Sequence, residues 1–157
     1  MQGGAGNYDV FLSYSRADSA AAESLRARLR EAGLNAFLDR YALPAGQPWQ
    51  PWLEQRLGDC RALVVLLGPS GLGEWQHREI ELGLDRQASA TKTEPFPVIP
   101  VLLPDLPNDA VPVGRFLGLN TWVDLRPGLD EPESLQRLVA CRAKQSTPPR
   151  PKSCSRA

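Results

Sequence analysis

Arg61-Ala62-Leu63-Val64-Val65-Leu66-Leu67-Gly68-Pro69-Ser70-Gly71-Leu72-Gly73 is the stretch on which the fold turns. Its first seven residues are apolar on both faces, the pattern of a strand covered on both sides at the centre of a parallel sheet. The glycine-rich run that follows is a loop, and Glu74 to about Ala88 then reads as a helix. Strand, tight loop and helix in that order make one half of a βαβ unit, so the flanking sequence should supply more of them.

It does so in both directions. Upstream, Tyr8-Asp9-Val10-Phe11-Leu12-Ser13-Tyr14 is a β-rich first strand. Ala22, Leu25, Leu29 and Ala32 then recur at helical spacing, between Asp18 or Ser19 as N-cap and Gly33 as C-cap. Leu34–Leu38 is a short second strand, Asp39–Pro48 a loop, and Trp49, Trp52, Leu53 and Leu57 mark a helix ending near Gly58. Downstream, Phe96–Leu103 is a fourth strand, although Pro100 argues against a central position because proline cannot donate to a ladder. Thr121–Leu125 is a fifth strand, and Glu131 to about Arg142 a final helix. The fold class is therefore α/β, a flavodoxin-like five-stranded parallel sheet of order 2-1-3-4-5 flanked by helices. In that topology ligands bind outside the carboxyl ends of the strands, where the winding reverses between the first and third. Those ends are Tyr14–Asp18 and Gly68–Glu74, with the Asp39–Pro48 loop beside them.

Composition narrows the chemistry. The 157 residues carry 18 Lys+Arg and 18 Asp+Glu, without the basic excess of a nucleic-acid binder. No apolar run approaches the roughly 20 residues of a membrane helix, and no secretory signal opens the chain. Cys60, Cys141 and Cys154 are widely spaced and odd in number, which supports neither a disulfide framework nor a metal site and points to the cytoplasm. Residues 1–6 are expected to be disordered, 7–143 to form the domain, and 144–157, basic and proline-rich, to be a linker or tail.

The loop after the third strand satisfies no catalytic motif. It is not G-x-G-x-x-G, lacks the lysine of a P-loop, and has Leu72 where G-x-S-x-G needs its last glycine. His77, the only histidine, comes too soon after Ser70 for a nucleophile-elbow hydrolase. Trp75 and Glu79 stand four residues apart, so they share a helix face, which Gly83 continues and leaves shallow. Ile80, Leu84 and Ala88 form a separate stripe suited to the core. On spacing alone the ordinary reading of Glu79 is a solvated helix residue paired with Arg78 or Arg86, and Arg16 can be read as a surface ion pair with Asp18.

Tyr8–Ser15, Phe37-Leu38-Asp39 with Leu43-Pro44-Ala45-Gly46, Gly68-Pro69-Ser70 and Trp75-Gln76-His77-Arg78-Glu79-Ile80 together resemble the Toll/interleukin-1 receptor (TIR) domain over about residues 7–143. TIR domains include modules that only assemble and enzymes that cleave NAD+. Glu79, one helical turn after Trp75, matches the position of the enzymes' catalytic glutamate. The resemblance implies that Glu79 is catalytic and that Trp75, Tyr14, Ser15, Arg16 and Gly46 line the NAD+ site. It also implies that Tyr41, Leu43, Pro44 and Trp49 serve self-association or contact with other TIR domains. Pro44 departs from the pattern, standing where some NAD-cleaving relatives carry an acidic residue. NAD+ would be a substrate, with no cofactor and no metal. The function so implied is an NAD+ glycohydrolase releasing nicotinamide and leaving ADP-ribose or a cyclic isomer, in an assembly-controlled defence effector. A sensor domain would follow the linker. Arginine outnumbers lysine fifteen to three, which suits a GC-rich bacterial genome. The alternatives are a non-catalytic TIR–TIR signalling module and a host-mimicking virulence factor.

Overall fold

The computed structural model describes residues 8–38, 45–46, 48–104, 106–107 and 122–146. In chain order the elements are β1 (Val10–Ser13), a 3-10 turn (Arg16–Asp18), α1 (Ser19–Glu31), β2 (Ala36–Phe37), α2 (Trp49–Gly58), β3 (Leu63–Leu67), α3 (Glu74–Ser89), β4 (Val98–Leu102), β5 (Val123–Asp124) and α4 (Pro132–Ser146). All five strands are parallel, in the order β2-β1-β3-β4-β5. The flavodoxin-like arrangement expected from the strand and helix pattern is the one found. The last helix runs to Ser146, three residues past the expected domain boundary at 143.

Strand alternation divides the core into two layers. Val10, Leu12 and Tyr14 of the first strand and its end, with Val64, Leu66, Ile99 and Val101, face α1 and α4 through Leu25, Leu29 and Leu138. Phe11, Leu63, Val65, Leu67 and Val98 face α2 and α3 through Leu53, Leu57 and Ile80. β3, the middle strand, is buried along its whole length, as its unbroken apolar run requires.

β4 lies inside the sheet despite Pro100, and the register explains why. The Leu103 N–H donates to the carbonyl of Leu67, the last residue of β3, so by alternation the amides of residues 98, 100 and 102 point the other way, toward β5. The ladder to β5 begins at Val101. The donor that Pro100 lacks is therefore on the β5 side, where no described residue pairs with it. Val98, two residues earlier on the same side, donates instead to the Gln87 side chain of α3 at 3.0 Å.

α3 approaches the sheet through Gly83. A β-carbon there would overlap the end of the buried Leu63 side chain, so only glycine lets the helix lie this close. The inward face of α3 is thus Gln76, Glu79, Ile80 and Gly83, all buried, whereas Leu84 is half-buried and Ala88 exposed. The expected core stripe of Ile80, Leu84 and Ala88 holds at Ile80 and, half-buried against the same cluster, at Leu84, but not at Ala88.

Candidate functional site

The reversal of winding between β1 and β3 brings two loops together at the carboxyl edge of the sheet. Ser15 to Asp18 leave β1 through the 3-10 turn, and Gly68 to Gly73 leave β3. Asp18 turns inward, where its carboxylate accepts the Ser15 hydroxyl at 3.0 Å. Gly68 packs directly against that carboxylate, and a β-carbon at Gly73 would sit 3.3 Å from the Ser15 β-carbon. The two loops are held to one another at both ends of the second.

Gln76 adds a third tie. Its side chain is 0% exposed. Nε2 donates to the Ser13 carbonyl at 3.1 Å and to the Leu66 carbonyl at 2.9 Å, while Oε1 accepts the Gly73 N–H at 2.9 Å. The bond to Gly73 is half of a capping box, in which the third helical residue reaches back to the N-cap amide. Here the N-cap is glycine, and the donors of Gln76 go to the strands.

Glu79, one turn further along the same face, is also 0% exposed. The reading of Glu79 as a solvated surface residue is therefore corrected. Gly83 seats α3 against Leu63, and this turns residue 79 toward the sheet rather than to water. Ser13, on the same side of β1, is fully buried as well, so three polar side chains lie beneath the first half of α3. A carboxylate so placed sits where the surroundings amplify electrostatic effects.

The other sequence-predicted residues divide. Ser15 belongs to the cluster, in contact with Gly73. Arg16 is exposed on the 3-10 turn beside it. Tyr14 packs into the α1 layer, with its hydroxyl 3.4 Å from the Leu38 carbonyl, on the opposite side of the sheet from Glu79. Gly46 is exposed with φ 83°, a left-handed turn residue. Trp49 opens α2, half-buried, with the Arg78 guanidinium 5.0 Å from its ring centre. Arg78 thereby joins the start of α2 to α3. Trp75 lies in the first turn of α3, and Tyr41, Leu43 and Pro44 lie outside the described residues.

The sequence points to neither Ser13 nor Gln76 as a site residue, and to Asp18 only as a helix cap or the ion-pair partner of Arg16. Ser13 breaks an otherwise apolar strand, and Gln76 stands three residues after a glycine N-cap, so both signals were present in weak form. A cavity of about 280 Å³ at the carboxyl edge touches Asp18, Pro69 and Leu103, on the α1 side. A cavity of about 620 Å³ opens at the opposite edge of the sheet, between Arg61, Arg86 and Phe96, away from Glu79. Among the described residues no helix is long and apolar enough to cross a membrane.

Solved structures share this architecture. The TIR domain of the Toll-related receptor TRR-2 from Hydra magnipapillata matches with a TM-score of 0.66 at 18% identity, covering 87% of this chain and 99% of that one. A metazoan TIR-STING receptor from C. gigas, solved with 2′,3′-cGAMP, gives 0.66 at 18% identity, covering 92% of this chain and 42% of the receptor. The TIR domains of the activated Roq1 resistosome, which recognises the pathogen effector XopQ, give 0.57 at 22% identity over 86% of this chain and 99% of that one. No curated protein matches the sequence. The family model for the TIR domain matches residues 10–139, nearly all of the sheet and its helices, and the chain belongs to the TIR domain family.

Proposed function

We infer that this TIR domain is an NAD+ glycohydrolase with Glu79 as its catalytic carboxylate. The observation that carries the reading is the placement of Glu79. A buried carboxylate sits on the inward face of α3, one turn beyond the junction of the β1 and β3 loops where a doubly wound sheet binds ligands. A second carboxylate is unnecessary for this reaction. The C–N bond from ribose C1′ to nicotinamide breaks with its electron pair going to the positively charged ring nitrogen, so the base departs neutral without a proton donor. The ribose is left with oxocarbenium character, which a nearby anion stabilises. Water then adds at C1′ and loses a proton to give ADP-ribose, or a nitrogen of the adenine captures C1′ to give a cyclic isomer. Ser15 and Arg16 stand beside the site, Arg16 exposed and suited to a phosphate. NAD+ is substrate, and the reaction as written draws on no cofactor.

Glu79 is fully buried, so in this reading substrate reaches it only after its surroundings rearrange. Assembly with other copies through Trp49 and the neighbouring loop supplies that rearrangement in this reading. It fits a cytoplasmic bacterial defence effector whose sensor domain follows residue 157. The same enclosure is the observation that favours the second reading, a non-catalytic TIR–TIR module in which Glu79 is structural.

The test is nicotinamide release from NAD+, followed by chromatography on bead-clustered protein beside Glu79→Gln. Release by the parent and its loss in the variant are expected, and the second product peak separates ADP-ribose from a cyclic isomer. A folded, clustered parent that releases nothing is the module. Release that survives in the variant removes Glu79 from the mechanism.

A further inference from the structure

We propose that Gln76 is the positioning residue of this site, fixing Glu79 by completing the β1–β3 ladder from the helix side. The inference rests on the reading of Glu79 as the catalytic carboxylate. β1 and β3 are paired from Phe11↔Leu63 to Ser13↔Val65, and there the pairing stops. Leu66 is the first β3 residue beyond it, and Ser13 is the last residue of β1. Their carbonyls face the gap that opens as the strands lead into different loops. Gln76 bridges that gap with its two amide hydrogens, to Ser13 at 3.1 Å and to Leu66 at 2.9 Å, as an additional rung supplied by α3.

Its oxygen meanwhile holds the Gly73 N–H, the N-cap of the same helix, at 2.9 Å. One planar group thus sets three things together: how far the strands part, where α3 begins, and the rotation of its first turn. Glu79 follows three residues later, close enough along one helix that the rotation set at Gln76 is carried to it. On the other side of Glu79, one turn further on, Gly83 lies against Leu63. The carboxylate is therefore pinned from both sides, by hydrogen bonds before it and by close packing after it. An apolar side chain at 76 would fill the space and fix nothing, leaving the buried Leu66 carbonyl and the half-buried Gly73 amide without this partner and removing the tie from α3 to the Ser13 carbonyl.

The test uses the clustered full chain with Gln76→Met, of similar length without the amide, and Gln76→Glu, which keeps the acceptor and loses both donors. In variants that melt cooperatively above the assay temperature, kcat for nicotinamide release is expected to fall about 10²-fold, the scale of a displaced catalytic group, with KM within about twofold of the parent. Amide hydrogen exchange is expected to quicken together in residues 14–18 and 73–80 and to stay unchanged in residues 22–29 of α1. Parental kcat in a folded variant, or exchange unchanged in the first two segments, overturns the proposal. If neither variant folds, exchange of the Gln76 side-chain amide in the parent decides: protection supports the bridge, and free exchange overturns it. A parent that releases no nicotinamide sinks the glycohydrolase reading instead, and the exchange pattern alone then judges Gln76.

Discussion

The Gly68 α-carbon lies so close to the Asp18 carboxylate that a β-carbon on it would overlap both oxygens. This contact joins the loop leaving β3 to the turn leaving β1, and the acceptor involved is already engaged by the Ser15 hydroxyl. Gly68→Ala must push Asp18 outward or lift the loop. Overpacking of this kind costs about 1–3 kcal/mol, so the thermal midpoint should drop by several degrees. Asp18→Ala in the same background makes room for the methyl group. The double variant should therefore lose less than the sum of the singles, a coupling that a thermal-denaturation cycle reads directly.

Arg16 tests the phosphate role without touching the core. It is exposed, in contrast to Ser15 and Asp18 on either side of the turn. Arg16→Ala should leave the melting temperature nearly unchanged, as surface substitutions usually do within about 0.5 kcal/mol. Loss of a charge-assisted hydrogen bond to a phosphate would raise KM for NAD+ about tenfold. Steady-state kinetics on clustered protein measure it, and an unchanged KM would remove Arg16 from the substrate site.

Much of this arrangement was legible in the sequence, because the signals were local. The run from Leu63 to Leu67 could only be a covered strand, Gly33 and Gly58 ended their helices near where the structure ends them, and the alternation of strands with helices fixed the order of the sheet. That order also placed the candidate site at the β1–β3 reversal. The orientation of α3 did not follow from it. Ile80, Leu84 and Ala88 are the more apolar stripe, and hydropathy turns them inward. The structure keeps Ile80 inward but buries Gln76, Glu79 and Gly83 beside it and leaves Ala88 exposed, because Gly83 allows contact with Leu63 and because the carbonyls of Ser13 and Leu66 receive Gln76. Each of these causes involves a residue distant in sequence, and periodicity within one helix carries no record of it. Pro100 is similar: its tolerance depends on the amide it lacks pointing away from β3, toward the β5 side.

Cys60 should be chemically inert in the folded protein. It is buried among Phe11, Leu57 and Phe96, with its thiol 3.3 Å from the Arg56 carbonyl. Burial, aided by the nearby Asp59 carboxylate, pushes the thiol far above its ordinary range, so the reactive thiolate is scarce at neutral pH. Iodoacetamide followed by peptide mass spectrometry should leave Cys60 unmodified in native protein and modify it fully in denaturant. Rapid native labelling at that peptide would mean that the start of β3 opens readily.

Asp124 and Arg126 supply the acid-sensitive contact at the end of the sheet. Asp124 Oδ1 accepts the Arg126 backbone N–H at 3.0 Å and its Nε at 2.9 Å, and Oδ2 accepts Nη2 at 2.8 Å. The backbone carbonyl of Asp124 in turn accepts the Ser134 hydroxyl at 2.7 Å, which docks the start of α4 on β5. The side-chain hydrogen bonds from Arg126 hold the Asp124 carboxyl below its ordinary 3.8. A carboxyl lowered in the folded state contributes stability above the unfolded value and loses it as pH falls through the folded one. Arg126→Gln should therefore melt below the parent at pH 6, with the difference constant down to about pH 4 and shrinking at lower pH as Asp124 takes up its proton in both proteins. The gap should be small, because the pair is partly exposed and screened by solvent. Thermal melts of both proteins across that range decide the matter, and a difference that widened toward low pH would contradict the assignment of Arg126 as the group holding Asp124 ionised.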